Sequence, residues 1–289
     1  MQLAPEPLAI FSGSEHEAFR WDDGPLGELL IHGFPGTPAE MRPLARALQR
    51  AGVSVEAPLL PGFGAQIQHL PRMRAADWVE AAADAWESLR QRHPQAALIG
   101  FSMGGSIALQ LAARRPPQRL VLLAPLWRMF DGDWRVSLLP LLKHVLPAIR
   151  PFVWTDLSRP DVAEFFRRVA PHLDLADPRV QARLRRETRL SSETLDQVRR
   201  LGLASIGCAP RVSAPTLVIQ GNADTTVTPR LTRLLAKQLR GPTRLEEVPC
   251  DHLLIAEERP AWPLICDLVV RFVADPAPLE VSVPDPRVG

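Results

Sequence analysis

The 289-residue sequence predicts an α/β fold, a mostly parallel sheet flanked by helices and interrupted once by a helical insertion. Three observations predict it. Short runs rich in Val, Leu and Ile alternate with amphipathic stretches, as repeated β-α-β units require. A Gly-x-Ser-x-Gly run, Gly100 to Gly104, stands where one such strand would pass into a helix. The alternation then fails between about Leu126 and Ala214, where aromatic and arginine-rich segments replace it.

The strands are read at 27–32, 53–57, 96–100, 119–124, 216–220 and 244–249, each brief and apolar. The first of them leads into Thr37, Pro38 and Glu40, which read as a capping box with proline in its favoured first position, although Pro43 suggests that this first turn is separate from the helix that follows. In 75–93, Trp78, Ala82, Trp86 and Leu89 recur at spacings of four, four and three, one apolar helical face. Residues 106–115 read as the helix after the serine turn. Thr228-Pro229 marks a further helix start, and 260–274 is a closing apolar helix. The arginine-rich 179–200 is helical within the insertion. The expected organisation is a core of 1–125 and 215–274, an insertion of 126–214, and a flexible proline-rich tail, 275–289.

Composition removes several classes of function. The formal net charge of +2, with 23% charged residues, gives no electrostatic footprint for nucleic acid. Cys208, Cys250 and Cys266 are odd in number and widely spaced, which suits neither a disulfide framework nor a zinc cage, so reduced thiols and a cytoplasmic setting are expected. No apolar run is long enough for a membrane span, and the first residues lack the features of an export signal. Oligomeric state is left open, and no metal or cofactor is expected.

The Gly-x-Ser-x-Gly turn carries the chemistry. Glycines two residues to either side let strand and helix approach closely, so that Ser102 projects at the positive end of a helix. A serine hydroxyl needs a base, and His252 lies just beyond the last strand, at the C-terminal edge of the sheet. His16, His69, His93, His144 and His172 are assigned surface or structural roles, and His32, ending a strand, is assigned to stiffening its turn. The acid that holds the histidine is read as Asp224, after strand 216–220, giving the chain order Ser, Asp, His. Asp131 is the runner-up; Asp251 is disfavoured because adjacent side chains rarely face each other. The backbone N–H groups of Met103 and Phe34 are the expected oxyanion donors, Pro35 having none. Trp127, Phe130 and Trp154 of the insertion either line an apolar substrate pocket or pack the insertion onto the core.

These segments together resemble the bacterial carboxylesterase and monoacylglycerol lipase branch of the α/β-hydrolase superfamily. The resemblance rests on HGFPGTPAEMRPLARAL at 32–48, APLLPGFG at 57–64, GFSMGG at 100–105, QGNADTTVTP at 220–229 and the DHLL segment carrying His252. It implies an α/β-hydrolase fold with about eight strands and a helical cap after the sixth, hydrolysis of short- to medium-chain or monoacylglycerol-like carboxylic esters, and no cofactor. It places the catalytic roles on Ser102, Asp224 and His252, with Phe34 and Met103 at the oxyanion. The competing readings keep the triad but act on a thioester, a lactone or amide, or a carbon-carbon bond, or make the chain a non-catalytic ligand-binding protein on the same fold.

Overall fold

The computed structural model describes residues 11, 13–128, 140, 145–170 and 173–274. Phe130, Asp131, His144, His172 and the tail 275–289 lie outside the described residues. Among the described residues the main sheet has seven strands: β1 (Phe19–Trp21), β2 (Leu26–Ile31), β3 (Ser54–Ala57), β4 (Gln95–Phe101), β5 (Leu120–Leu123), β8 (Thr216–Gly221) and β9 (Thr243–Val248). Their order is β1-β3-β2-β4-β5-β8-β9, and every pairing is parallel except that of β1 with β3. The six strands read from the sequence are all present. About eight were expected and seven are found, the extra one being β1, whose three residues are too short to display a period. A separate pair, β6 (Ala148–Ile149) and β7 (Leu190–Ser191), lies within 126–214.

Among the described residues eight α-helices accompany the strands: α1 (Arg42–Arg50), α2 (Ala75–Arg92), α3 (Met103–Arg114), α4 (Pro160–Val169), α5 (Pro178–Glu187), α6 (Ser192–Ile206), α7 (Pro229–Ala236) and α8 (Trp262–Ala274). The spacing of apolar residues in α2 has the expected result, with Trp78, Val79, Ala82, Trp86 and Leu89 all buried. Each large side chain so buried contributes roughly 1.5–3 kcal/mol. These residues join one core layer with α3, α6 and α7, while α1 and α8 build the layer on the opposite face of the sheet. None of the described helices is long and apolar enough to cross a membrane.

The capping box does not form as expected. Pro38–Met41 is a 3₁₀ turn whose Thr37 hydroxyl accepts the Ala39 N–H at 3.3 Å, and α1 begins only at Arg42 with Pro43 in its first turn. A proline N has no hydrogen to give, so Pro43 fits a helix start better than an interior. Glu40, freed from the box, turns instead toward Gly33.

The strand order places the site. The chain runs from β2 outward to β3, then crosses back over β2 to β4, so the order reverses between β2 and β4. A crevice opens at the carboxyl ends of strands at such a reversal, where ligands of open α/β sheets bind. Both glycine-bearing turns singled out in the sequence leave from it. Further along, β5 and β8 pair directly, Leu120 against Thr216, although α4 to α6 lie between them in the chain.

Candidate active site

Ser102 sits between β4 and α3 with φ 50° and ψ −114°, a backbone conformation that costs an L-residue on the order of 1–3 kcal/mol. The surroundings hold it there. Its N–H donates to the Leu123 carbonyl at 2.9 Å, and its own carbonyl accepts from Gly105 and Leu126, each at 2.9 Å. The flanking glycines are required by space: a Cβ on Gly100 would stand 2.4 Å from the Gly104 carbonyl oxygen, and one on Gly104 only 2.1 Å from that of Ile31. The strained turn is thereby wedged between β2 and α3.

The Ser102 hydroxyl lies 3.0 Å from Nε2 of His252, and Nδ1 of the same ring lies 2.7 Å from Oδ2 of Asp224. A carboxylate only accepts, so Nδ1 carries the proton and Nε2 turns its lone pair to the serine. Asp224 is buried and fully engaged. Its Oδ1 accepts the N–H groups of Thr226 at 2.8 Å and Val227 at 2.9 Å, and its Oδ2 also accepts the Gln220 amide at 3.0 Å. Burial alone would raise the Asp224 carboxyl, but the His252 hydrogen bond and charge, with Val227 and Gln220, outweigh burial and hold its pKa below the ordinary value. The Asp224 and His252 loops are locked together by the Ala223 N–H on the Cys250 carbonyl at 3.0 Å. Asp251 faces elsewhere, accepting the Leu253 N–H at 3.0 Å and the Arg259 guanidinium at 2.7 Å.

Gln220 escaped the sequence reading. It is wholly buried at the end of β8, where its amide bridges Asp224 and the Val227 carbonyl while its own oxygen accepts the Thr232 hydroxyl at 2.6 Å. The signal was a lone amide closing an otherwise apolar strand, since a buried amide must find partners.

The turn after β2 is braced by side chains. Gly33 accepts Nδ1–H of His32 on its carbonyl at 2.9 Å, and the Leu60 N–H donates to His32 Nε2 at 3.2 Å. Burial lowers the His32 pKa to about 4, so the ring is neutral and both its nitrogens are committed to the turn. The Gly33 N–H donates to Glu40 Oε1 at 2.5 Å, and the same carboxylate fills the space where a Cβ on Gly36 would stand. Phe34 follows directly, next to a cis bond to Pro35. Met103 opens α3 with its side chain buried in the core.

Beside His252 lies a cavity of about 380 Å³. Its walls include Phe34, Phe101, His252 and Ile255, and, from the N-terminal segment, Phe11 and His16. Of the insertion aromatics singled out in the sequence, the two that are described do not line it. Trp127 is buried in the core, its indole N–H donating to the Leu231 carbonyl at 3.1 Å; Trp154 is 94% exposed. Phe130 is outside the described residues. Among the described residues, no group of three or more His, Cys, Asp or Glu is placed to hold a metal ion.

Comparison with known proteins agrees with this architecture. Residues 29–262 match the model of the alpha/beta hydrolase family. The chain is 33% identical over 176 residues to a thermostable monoacylglycerol lipase of Bacillus sp. (strain H-257), an alignment spanning 59% of this chain and 66% of the lipase. It is 32% identical over 104 residues to a carboxylesterase of Bacillus subtilis (strain 168), covering 36% of this chain and 42% of that enzyme. Among solved structures, one of the metagenome-derived lipolytic enzymes LipS and LipT superposes with a TM-score of 0.72 at 23% identity, covering 90% of this chain and 98% of the other. That last likeness is one of fold.

Proposed function

The chain belongs to the alpha/beta hydrolase family, and from that premise we propose that it is a serine hydrolase that cleaves carboxylic esters through an acyl-enzyme on Ser102. The observation that supports this most is the continuous chain of hydrogen bonds from the Ser102 hydroxyl through His252 to Asp224, at 3.0 and 2.7 Å. In this reading His252 takes the Ser102 proton as the hydroxyl oxygen attacks the ester carbonyl, and Asp224 stabilises the imidazolium that results. The N–H groups of Phe34 and Met103 meet the oxyanion, a contribution of roughly a hundredfold or more in rate per donor. His252 then returns the proton to the departing alcohol. Water, deprotonated by the same ring, releases the acid and restores the serine.

The similarity to a monoacylglycerol lipase and a carboxylesterase supports esters of short- to medium-chain acids, monoacylglycerols among them, as substrates. Residues 126–214 act as a cap on a core of 1–125 and 215–274; the direct pairing of β5 with β8 supports this, because the segment between them adds no described strand to the main sheet. Cys208, Cys250 and Cys266 are free thiols, which suits a reducing compartment.

A fluorophosphonate probe followed by peptide mapping tests the proposal. Labelling at Ser102 that disappears in His252→Ala is expected; folded protein that resists labelling would refute the serine mechanism. Turnover of p-nitrophenyl esters from two to sixteen carbons then defines the acyl range, and activity confined to thioesters would replace the carboxylic ester as substrate.

A further inference from the structure

His252 is delivered by a loop. Residues 249–261, which carry it between β9 and α8, form turns and no helix or strand, so the alignment of its ring on Ser102 depends on what braces those turns. Asp224 and Ser102 meet the imidazole itself. The backbone on either side of it is braced by Asp251, whose Oδ1 accepts the Leu253 N–H at 3.0 Å and so closes a side-chain turn around the one residue between them, His252.

The second oxygen of Asp251 leads out of the loop. Nη2 of Arg259 donates to Asp251 Oδ2 at 2.7 Å, and the same Nη2 lies 3.7 Å from Oε2 of Glu164, a residue of α4 in the 126–214 segment. One guanidinium nitrogen therefore faces two carboxylates, one from the loop that carries His252 and one from the insertion. The Arg259 backbone is fixed as well, its N–H on the Ala256 carbonyl at 3.0 Å and its carbonyl accepting the Trp262 N–H at 2.9 Å where α8 begins. The side chains of Arg259 and Glu164 are only 25% and 16% exposed, so water and salt screen this pair less than they screen a surface pair. Nε of Arg259 is buried and has no hydrogen-bond partner among the described residues. An arginine placed merely for solubility would turn that donor to water; here it is given up while Nη2 holds both carboxylates.

The insertion reaches the site at a second point through the same helix. Phe166 of α4 packs with Phe11, which lines the cavity beside His252. A displacement of α4 thus acts on both a wall of that cavity and the nitrogen that steadies the Asp251 turn. Misplacement of a reacting group by about 1 Å costs on the order of a hundredfold in rate, so a small shift passed along this path is enough to matter. We infer that Arg259 is a positioning residue that joins the His252 loop to the insertion, so that the seating of α4 sets how well the imidazole is aligned on Ser102. The inference rests on the serine-hydrolase reading above and adds to it how the insertion acts on the site.

Two measurements separate this role from that of a plain loop staple: kcat and KM for p-nitrophenyl butyrate, and the rate constant for fluorophosphonate labelling of Ser102, which needs the Ser102–His252 pair but no ester. In Arg259→Gln, kcat and the labelling rate are each expected to fall about tenfold while KM changes by less than about twofold, as misalignment at the reacting atoms predicts. Arg259→Lys, which keeps a positive charge beside Asp251, is expected to restore most of the loss. Glu164→Gln leaves the loop itself intact; it is expected to lower both rates about threefold alone and to add nothing in the Arg259→Gln background, because the two side chains act along one path. Should Arg259→Gln fail to fold, Glu164→Gln decides the matter by itself. Unchanged labelling in Glu164→Gln would overturn the inference, as would losses from the two substitutions that simply multiply, or a rise in KM with labelling unaltered. Wild-type protein that is labelled at Ser102 but inert toward esters would remove the ester substrate alone, and the labelling rates would still decide this inference; wild-type protein that resists labelling would remove both.

Discussion

The turn after β2 and the turn after β4 leave neighbouring parallel strands and meet across one crevice, yet different forces hold them. The Ser102 turn is held by backbone: a positive φ, three main-chain hydrogen bonds, and two glycines packed so closely that a methyl group on either would strike a carbonyl. The His32–Thr37 turn is held by side chains, with His32 reaching Leu60, Glu40 reaching Gly33, and Thr37 meeting His16. A turn fixed by sterics is written in consecutive residues. One fixed by side chains depends on partners that the chain delivers from elsewhere.

The largest expected effect isolates the chemistry of the first turn. Ser102→Ala should lower kcat by about 10⁴- to 10⁶-fold while urea denaturation finds stability little changed; activity surviving at a tenth of wild type would mean that the strained turn is not where the reaction occurs. Next in size is Gly104→Ala, whose Cβ would stand 2.1 Å from the Ile31 carbonyl oxygen. Backbone cannot yield as a flexible side chain can, so a loss of about 3 kcal/mol in unfolding free energy is expected, and a shift below about 0.5 kcal/mol would end the claim that sterics hold this turn.

The second turn should respond to pH. His32 has a pKa lowered by burial to about 4 in the folded protein, against about 6.5 unfolded. Between those values the unfolded chain binds the proton and the folded one does not, so the stabilisation is complete above pH 6.5 and is lost as pH falls toward 4. The loss attributable to His32 is about 3 kcal/mol, read as the difference in pH slope between wild type and His32→Gln. Equal slopes would show that the ring is not held neutral by the fold. Asp224, with its lowered pKa, acts in the same sense, its contribution being lost as pH falls through its folded value.

The smallest effect distinguishes placement from stability. Glu40→Ala removes the acceptor of the Gly33 N–H beside Phe34, and kcat should fall about tenfold with KM changing less, as misplacement near reacting atoms predicts. An unchanged kcat would leave Glu40 a structural brace without influence on the neighbouring amide.

The same division explains what was legible before the structure. All six apolar strands were readable because period and residue type are local properties. β1 was not, being three residues long and paired antiparallel at the sheet edge. Ser102, Asp224 and His252 could be nominated from strand ends and chain order, and the structure brings them within hydrogen-bonding distance. Glu40 was misread, because a Thr37–Glu40 spacing that allows a capping box also allows the carboxylate to turn back on Gly33, and only packing selects between them. Trp127 and Trp154 carried the same signal and came to opposite ends, one in the core and one at the surface. Nothing in their neighbouring residues separates them.

By itself the sequence determined the alternation of strand and helix, the wedge of small residues around Ser102, and the set of side chains able to exchange a proton. Tertiary structure alone decided which distant groups complete them: Gln220 behind Asp224, Glu40 beneath the Phe34 turn, and His16 in the wall beside His252. The physical reason is range. Steric and periodic constraints act between residues a few positions apart, whereas a hydrogen bond between residues 21 positions apart, such as His16 to Thr37, exists only once the sheet has brought its ends together.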